Sequence, residues 1–326
     1  LTGLGEFGRI ERFFRPLSAG FPGAYRLTDD AASIAVPVGQ ELAVTTDAVV
    51  AGVHFLPSDA PADIARKALR VNLSDLAAKG ARPLAYTLTL ALGREIGDAW
   101  VEAFAGGLAL DQARYGVALI GGDSVSTAGP IWVSVTAFGL TGAGRMILRG
   151  GARPGDLVFV TGTIGDAALG LAAAQGRLRC PAEDHRALAD RYRLPEPRTS
   201  LAAAVAACAS AALDVSDGLM ADFGHLCRAS GVAGWIDRAR VPLSPAARRA
   251  VRSDPALWPA IVSGGDDYEI IMTAAPADAA RLRESAKASA IPLSEIGRIA
   301  AGQPEATLLD ERGAPIRLEK TGWTHA

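Results

Sequence analysis

The chain has 326 residues, 49% of them hydrophobic and 21% charged, which fits two α/β domains of about 150 residues each and excludes a disordered or fibrous chain. Its 33 Lys and Arg are scattered among 35 Asp and Glu, for a formal net charge of −2, so no basic stripe marks a nucleic-acid binder. The three cysteines, Cys180, Cys208 and Cys227, have neither C-x-x-C nor zinc-finger spacing, and they suit a reducing cytoplasm in which thiols stay free.

Residues 1–15 carry Glu6 and Glu11 among their apolar residues, so no signal peptide is expected there. The longest uncharged apolar tract, 200–213, is shorter than the ~20 residues of a bilayer span, and no membrane segment is expected. In chain order, residues 6–17 have helical spacing, with Phe7, Ile10, Phe13 and Phe14 on one side and Pro16 at the end. Residues 33–37 and 41–46 read as short strands divided by a turn at Gly39. A helix follows over 61–79, capped by Ser58 or Asp59, with Pro61 in its first turn and Gly80 just past its end. A strand at 83–91, a helix at 98–115 and strands at 117–120 and 131–141 complete a first α/β domain. Gly, Pro and charge concentrate at 148–156, which places the domain boundary there: 1–148 and 149–326. In the second half, strands at 157–160, 212–215, 268–273, 293–299 and 306–309 alternate with helices at 165–175, 198–210, 218–229 and 276–288.

Aspartates beside Gly, Ser or Thr recur at the predicted strand ends. They are Asp29 and Asp30 in LTDDAAS, Asp47 in AVTTDAVVAGVHF, Asp123 in LIGGDSVST, Asp214 and Asp217 in ALDVSDGL, and Asp266 and Asp267 in SGGDDYEII. A buried strand that ends in carboxylates is costly unless a cation neutralises them. The only lysines are Lys67, Lys79, Lys287 and Lys320, none beside these aspartates, so hard divalent cations with oxygen ligands are the expected counter-charge. Glycines next to Asp123 and Asp266 let backbone N–H groups approach an anion closely. For any single Gly-Asp turn a local turn or cap is the commoner role; the repetition points to a metal–phosphate site. No lysine is preceded by glycine, which excludes a P-loop, and the chain has neither H-E-x-x-H nor G-x-S-x-G.

The strings TTDAVVAGVHF, VNLSDLAAKGARP, LIGGDS, LDVSDGL and SGGDDYE, in that order, together with a terminal TGW, resemble the thiamine-monophosphate kinase family. That family belongs with aminoimidazole-ribonucleotide synthetase, selenophosphate synthetase and the hydrogenase-maturation dehydratase. The resemblance implies an α/β (α+β) chain with the two-domain aminoimidazole-ribonucleotide synthetase-like fold. It also implies a homodimer that joins its N-terminal sheets, and a C-terminal α/β domain over the nucleotide. The implied enzyme is a cytoplasmic phosphotransferase that moves the γ-phosphoryl group of ATP to thiamine monophosphate with several Mg²⁺ ions. Matched by motif, Asp30, Asp47, Asp75, Asp123, Asp214 and Asp217 resemble the metal ligands, with Thr45 and Thr46 beside them. Gly122, Arg149 and Ser216 resemble ATP contacts, and His54, Asp266 and Trp323 the substrate side. No general base is implied.

Two departures stand out: Arg26-Leu27-Thr28 replaces the family's Gly-x-Gly before the first aspartate pair, and Asp266 stands where Glu is common. Each nominee also has a plain structural role open to it. Asp75 suits a solvated helix surface, Asp29 a turn, His54 a core contact, Arg149 a surface linker, and Trp323 a pin for the terminus. Another ATP-using enzyme of the same superfamily, or a non-catalytic nucleotide- or metal-binding scaffold, are the alternative readings.

Overall fold

The computed structural model describes residues 4–323. They divide into two units: one runs to Leu76 and resumes over Ala81–Gly144, the other takes Ala77–Gly80 and the chain from Arg145 onward.

In the first unit, α1 (Glu6–Arg9) passes through a π turn (Ile10–Phe14) into a 3-10 turn (Arg15–Ser18), burying Phe13, Phe14 and Leu17. Pro16 opens the last turn, where its missing N–H is no loss. The strand expected over 33–37 does not form. The Ser33 amide is taken by the carbonyl of Gly23, and Pro37 has no amide to give a ladder. The chain then enters β1 (Gln40–Val50), α2 (Pro61–Ala78), β2 (Arg82–Gly93), α3 (Asp98–Tyr115), β3 (Ala118–Thr127) and β4 (Trp132–Gly142).

The sheet order is β1-β4-β2-β3, with β4 antiparallel to both neighbours and β2 parallel to β3. Along β4, Val133, Val135 and Ala137 are fully buried, while Trp132, Ser134 and Thr136 between them are not, the period-2 pattern of a sheet covered on one face. On α3, Val101, Phe104, Ala105 and Leu108 recur at helical spacing and are buried together. Asp47 and Asp123 were expected to close strands. Both instead lie inside them, opposite Val135 and Thr89, because β1 and β3 are edge strands whose ladders continue past the apolar stretch.

The second unit contains β5 (Leu157–Thr161), α4 (Asp166–Ala174), α5 (Ala182–Arg193), α6 (Ala202–Cys208), β6 (Ala211–Asp214), α7 (Leu219–Ser230), β7 (Ala233–Asp237), α8 (Pro245–Ser253), α9 (Trp258–Ser263), β8 (Ile270–Ala274), α10 (Ala279–Ala288), β9 (Leu293–Ala300), β10 (Ala306–Leu309) and β11 (Pro315–Ile316). The sheet order is β11-β10-β7-β9-β5-β8-β6. Its central strands are buried on both faces. Val158 and Val160 of β5 join one core with Leu213, Phe223 and Leu226; Leu157 and Phe159 join the other with Ala212, Met272 and Leu282. Helices α5, α8 and α9 and strands β7 and β11 were not expected from sequence. α5 and α8 are rich in charge and poor in large apolar residues, and the buried face of α8 is made of Ala246, Ala247 and Ala250 alone, so their amphipathic pattern is easily passed over. The signal for α8 was still there, since Ser244 caps it by accepting the Ala247 amide and Pro245 opens its first turn. No helix of the described residues is long and apolar enough to cross a membrane.

Helices α2 and α3 are tied by a buried ion pair. Arg70 donates to both oxygens of Asp111, at 2.6 and 2.9 Å, and Arg66 adds a third bond at 3.2 Å. Arg70 and Asp111 are both buried, so removing one partner strands a charge in the core. Asp111→Ala should therefore cost about 3–5 kcal/mol in urea unfolding, and the double variant Arg70→Met/Asp111→Leu should recover most of it. A single-variant loss below about 1 kcal/mol would place the pair among ordinary surface bridges.

Candidate functional site

The first unit gathers oxygen donors where β1 runs beside α2. Thr45 Oγ1 donates to Asp75 Oδ2 at 2.5 Å, so Asp75 is held by β1 rather than left as a solvated helix residue. The Asp47 amide donates to Oδ1 of the fully buried Asn72, whose own Nδ2 is fixed by the carbonyl of Ala68. The Asp47 side chain remains exposed. By strand alternation Thr46 faces the other side of the sheet, and its hydroxyl lies between the Val135 carbonyl and Thr136 Oγ1. Thr45, Asp47 and Asp75 are thus brought together, and the Thr46 side chain is turned away from them.

A cavity of about 760 Å³ lies in the same unit. Phe7, Ile10, Phe14, Leu119 and Ile120 give it an apolar lining, and Asp30, Gly122 and Asp123 also line it. Asp29 has a turn role, its Oδ1 accepting the Asp30 amide at 2.8 Å. Gly122 has φ 156°, and a Cβ there would lie 1.9 Å from the Leu88 carbonyl, so only glycine lets β3 pass this close to β2. Tyr25, Arg26 and Leu27, just before the aspartate pair, have φ of 48°, 57° and 55°. The loop keeps the left-handed path that glycine favours although this chain has no glycine at those positions. The Leu27 side chain packs on Ala24, Ala85 and Ile120, which helps to hold that path.

In the second unit, the segment after β6 and the loop before β8 are knitted by their backbones. The Val215 amide donates to the Glu269 carbonyl, Tyr268 to Val215 and Asp266 to Ser216, at 2.7, 2.8 and 2.9 Å. Asp214 closes β6 and is buried, whereas Ser216 and Asp217 are half-buried. The Trp323 amide donates to the Asp217 carbonyl at 2.9 Å, while its side chain is exposed. Gly322 permits this approach, since a Cβ there would meet Ala221 Cβ at 2.3 Å and the Asp217 carbonyl at 2.8 Å. Ser216, Asp217, Asp266 and Trp323 are therefore brought near one another, with the indole exposed.

The acids of SGGDDYE divide by role. Asp267 is buried and accepts the amides of Gly165 and Ala167 at the start of α4; burial pushes its carboxyl well above the usual range. Glu269 is buried between Arg191, Arg198 and Thr161, at 2.9, 2.5 and 2.7 Å. Asp266 alone of the three stays partly open, at φ 72°, a conformation Asp adopts more readily than Glu. That gives a backbone reason for the departure seen in the sequence. Sequence reasoning also missed Asp222, whose buried carboxylate accepts the amides of Asp217 and Gly218, both at 3.1 Å. Burial first, and then the Asp217 charge, push its pKa up to about 7, while the two amides and Arg149 pull it back. Its position at the first turn of α7 was the available signal.

His54 stands apart in the turn after β1, its Nδ1 accepting the Val50 amide at 3.1 Å. Among the described residues, no three His, Cys, Asp or Glu side chains converge into a metal-binding group. Mg²⁺ typically takes one or two carboxylates and completes its shell with water and phosphate oxygens. The Thr45–Asp75 pair, and Asp30 with Asp123 on one cavity, fit that demand for hard oxygen donors.

Residues 28–141 match the family described as AIR synthase related protein, N-terminal domain, and residues 153–309 match AIR synthase related protein, C-terminal domain. The thiamine-monophosphate kinase of Caulobacter vibrioides is 44% identical over 98% of this chain and 90% of its own length. The crystal structure of thiamine-monophosphate kinase from Stenotrophomonas maltophilia K279a gives a TM-score of 0.80 at 41% identity, over 86% of this chain and 89% of that one. A structure described as AaThiL complexed with AMPPCP and TMP gives a TM-score of 0.78 at 31% identity, over 99% and 97%.

The left-handed loop before Asp29 and Asp30 carries a measurable cost. Arg26 is exposed, so Arg26→Gly removes little packing and relieves a conformation that costs a side-chain-bearing residue about 1–2 kcal/mol. Glycine's extra freedom in the unfolded chain offsets part of this, leaving an expected gain of about 0.5–1 kcal/mol in thermal unfolding. A fall in melting temperature would count against a strained loop.

Proposed function

The chain belongs to the thiamine-monophosphate kinase family of AIR synthase related proteins, and from that premise we propose that it transfers the γ-phosphoryl group of ATP to the phosphate of thiamine monophosphate, giving thiamine diphosphate and ADP. Near full-length identity to a thiamine-monophosphate kinase carries this reading. The acceptor is a phosphate monoester with a second pKa near ~6, already largely anionic at pH 7. No general base is required. The chemical difficulty is repulsion among anions, so the residues serve chiefly to position groups and neutralise charge.

In the first unit the apolar cavity takes the adenine of ATP, and its Asp30, Gly122 and Asp123 side takes the phosphates. In the first unit Asp30, Asp47, Asp75 and Asp123 would hold Mg²⁺, and in the second unit Asp214 and Asp217 would do so; the ions would supply neutralisation of phosphate oxygens. Thr45 fixes one rotamer of Asp75, and Asn72 fixes the backbone that carries Asp47. In the second unit Arg149 and Ser216 bind phosphate oxygens. Asp266 and Trp323 face thiamine monophosphate, with the exposed indole against the cationic thiazolium ring, a contact of roughly 0.5–2 kcal/mol. The reading includes a cytoplasmic location, where the three free cysteines stay reduced.

An ATP-dependent assay with thiamine monophosphate and product identification tests this directly. Asp47→Asn, Asp123→Asn and Asp217→Asn should each lower turnover by about 100-fold or more with the fold intact by circular dichroism; wild-type rates at saturating Mg²⁺ in all three would remove the metal assignment. Trp323→Ala should raise the KM for thiamine monophosphate several-fold and leave that for ATP unchanged, with Trp323→Phe recovering much of the loss. Equal weakening toward both substrates would return Trp323 to a structural role.

The same reading includes a homodimer. β1 is an edge strand with Val44, Thr46 and Ala48 exposed, and pairing it with a second copy removes an open edge. Light scattering should give twice the chain mass at assay concentrations, and a fully active monomer would exclude this arrangement.

A further inference from the structure

We propose that His54 acts as a neutral imidazole whose single proton is fixed on Nε2, and that Lys67 is the positioning residue that keeps it so; the role in catalysis rests on the reading of His54 as a contact of the acceptor substrate. The chain reverses just after β1. The His54 and Val53 amides both donate to the Val50 carbonyl, at 2.9 and 3.1 Å, and the Gly52 amide donates to the Phe55 carbonyl at 2.8 Å. The ring then folds back, and the Val50 amide donates to His54 Nδ1 at 3.1 Å. A backbone amide can only donate, so Nδ1 must offer its lone pair. An imidazolium carries N–H groups at both nitrogens and would set one against the Val50 N–H. The arrangement therefore selects the neutral ring and leaves the proton on Nε2, the tautomer being set by the bond the other nitrogen makes.

Lys67 secures the turn from below. It lies on α2, only 2% exposed, and its Nζ donates to the His54 carbonyl at 2.7 Å. Burying a lysine head group is costly without hydrogen-bond partners, and one bond of this head group goes to the residue whose ring is to be aimed. Phe55, also 2% exposed, anchors the next position. With its carbonyl and its Nδ1 both held, the direction of the His54 Nε2–H is fixed. Such a donor suits an acceptor oxygen on the substrate's phosphate monoester. It does not suit a base, because the lone pair is already occupied.

The test uses the full chain labelled with ¹⁵N-histidine, with the His54 signals identified by their loss in His54→Gln. At pH 7 a long-range ¹H–¹⁵N spectrum should show His54 Nδ1 unprotonated and Nε2 protonated; a protonated Nδ1 overturns the assignment. In Lys67→Met the His54 signals should move toward a mixture of tautomers, and the KM for thiamine monophosphate should rise about tenfold with kcat and the KM for ATP unchanged. Lys67→Arg, which keeps a donor, should restore most of the loss. A folded Lys67→Met protein with unaltered His54 signals and unaltered KM overturns the positioning role. Should Lys67→Met fail to fold, Lys67→Arg decides: the Nε2–H tautomer with near wild-type KM supports the role, and a mixed tautomer with wild-type KM overturns it. A wild-type protein inactive on thiamine monophosphate but carrying the Nε2–H tautomer would sink the functional reading and support the proton assignment.

Discussion

A carboxylate withdrawn from water must be given hydrogen bonds or a counter-charge, and the arrangement of this chain's acids follows from that constraint. Asp111 is met by Arg70 and Arg66, Glu269 by Arg191 and Arg198, Asp267 by the amides that open α4, and Asp222 by the amides that open α7. These buried acids hold helices to sheets and loops to each other. Asp30, Asp47 and Asp123 are placed differently, on the same kinds of element but exposed. Their exposure leaves these three open to a ligand that supplies positive charge, which is the role the proposed function gives them.

The same distinction explains what could be read from the sequence. Long periodic elements were legible: the helix expected over 98–115 is α3, and strands at 83–91 and 131–141 lie within a residue or two of β2 and β4. The reading failed where a helix carries much charge and few large apolar residues, as in α5 and α8, or where a backbone amide is already engaged, as at Ser33. The candidate site was legible only as motifs. Nothing in a string of letters separates Asp266, which stays partly open, from Asp267 and Glu269, which are buried two residues apart with different partners. Nor could it reveal Asn72, Lys67 or Asp222, because each acts through a bond to another segment's backbone or, for Asp222, through burial that only the folded chain supplies.

Where the sequence departs from its relatives' pattern, the backbone supplies the reason in one case and the cost in the other. At Asp266 a left-handed position accepts Asp more readily than Glu, so the shorter side chain suits the loop. Of the two positions where that pattern has glycine, Arg26 keeps a left-handed path at φ 57° and Thr28 does not, at φ −112°; Tyr25 and Leu27 beside Arg26 are left-handed too, and the loop bears strain in this. Such strain persists only when the surroundings over-determine the conformation. Here the Leu27 side chain packs on Ala24, Ala85 and Ile120, and Thr28 closes the turn on the Tyr25 carbonyl with both its amide and its hydroxyl. The segment delivered to the cavity is therefore held by packing rather than by its own backbone preference.

Backbone bonds also account for how exposed side chains can be aimed without being buried. Trp323 is 57% exposed, yet its amide is fixed on Asp217 and Gly322 lets the chain lie flat against Ala221. Asp47 is exposed, yet its amide is fixed on buried Asn72. His54 follows the same rule, with its carbonyl on Lys67 and its ring on Val50. In each case a hydrogen bond fixes the main chain while the side chain keeps some access to solvent. In the roles proposed for them, ligand binding would then lose less loop entropy, which is the physical content of preorganisation.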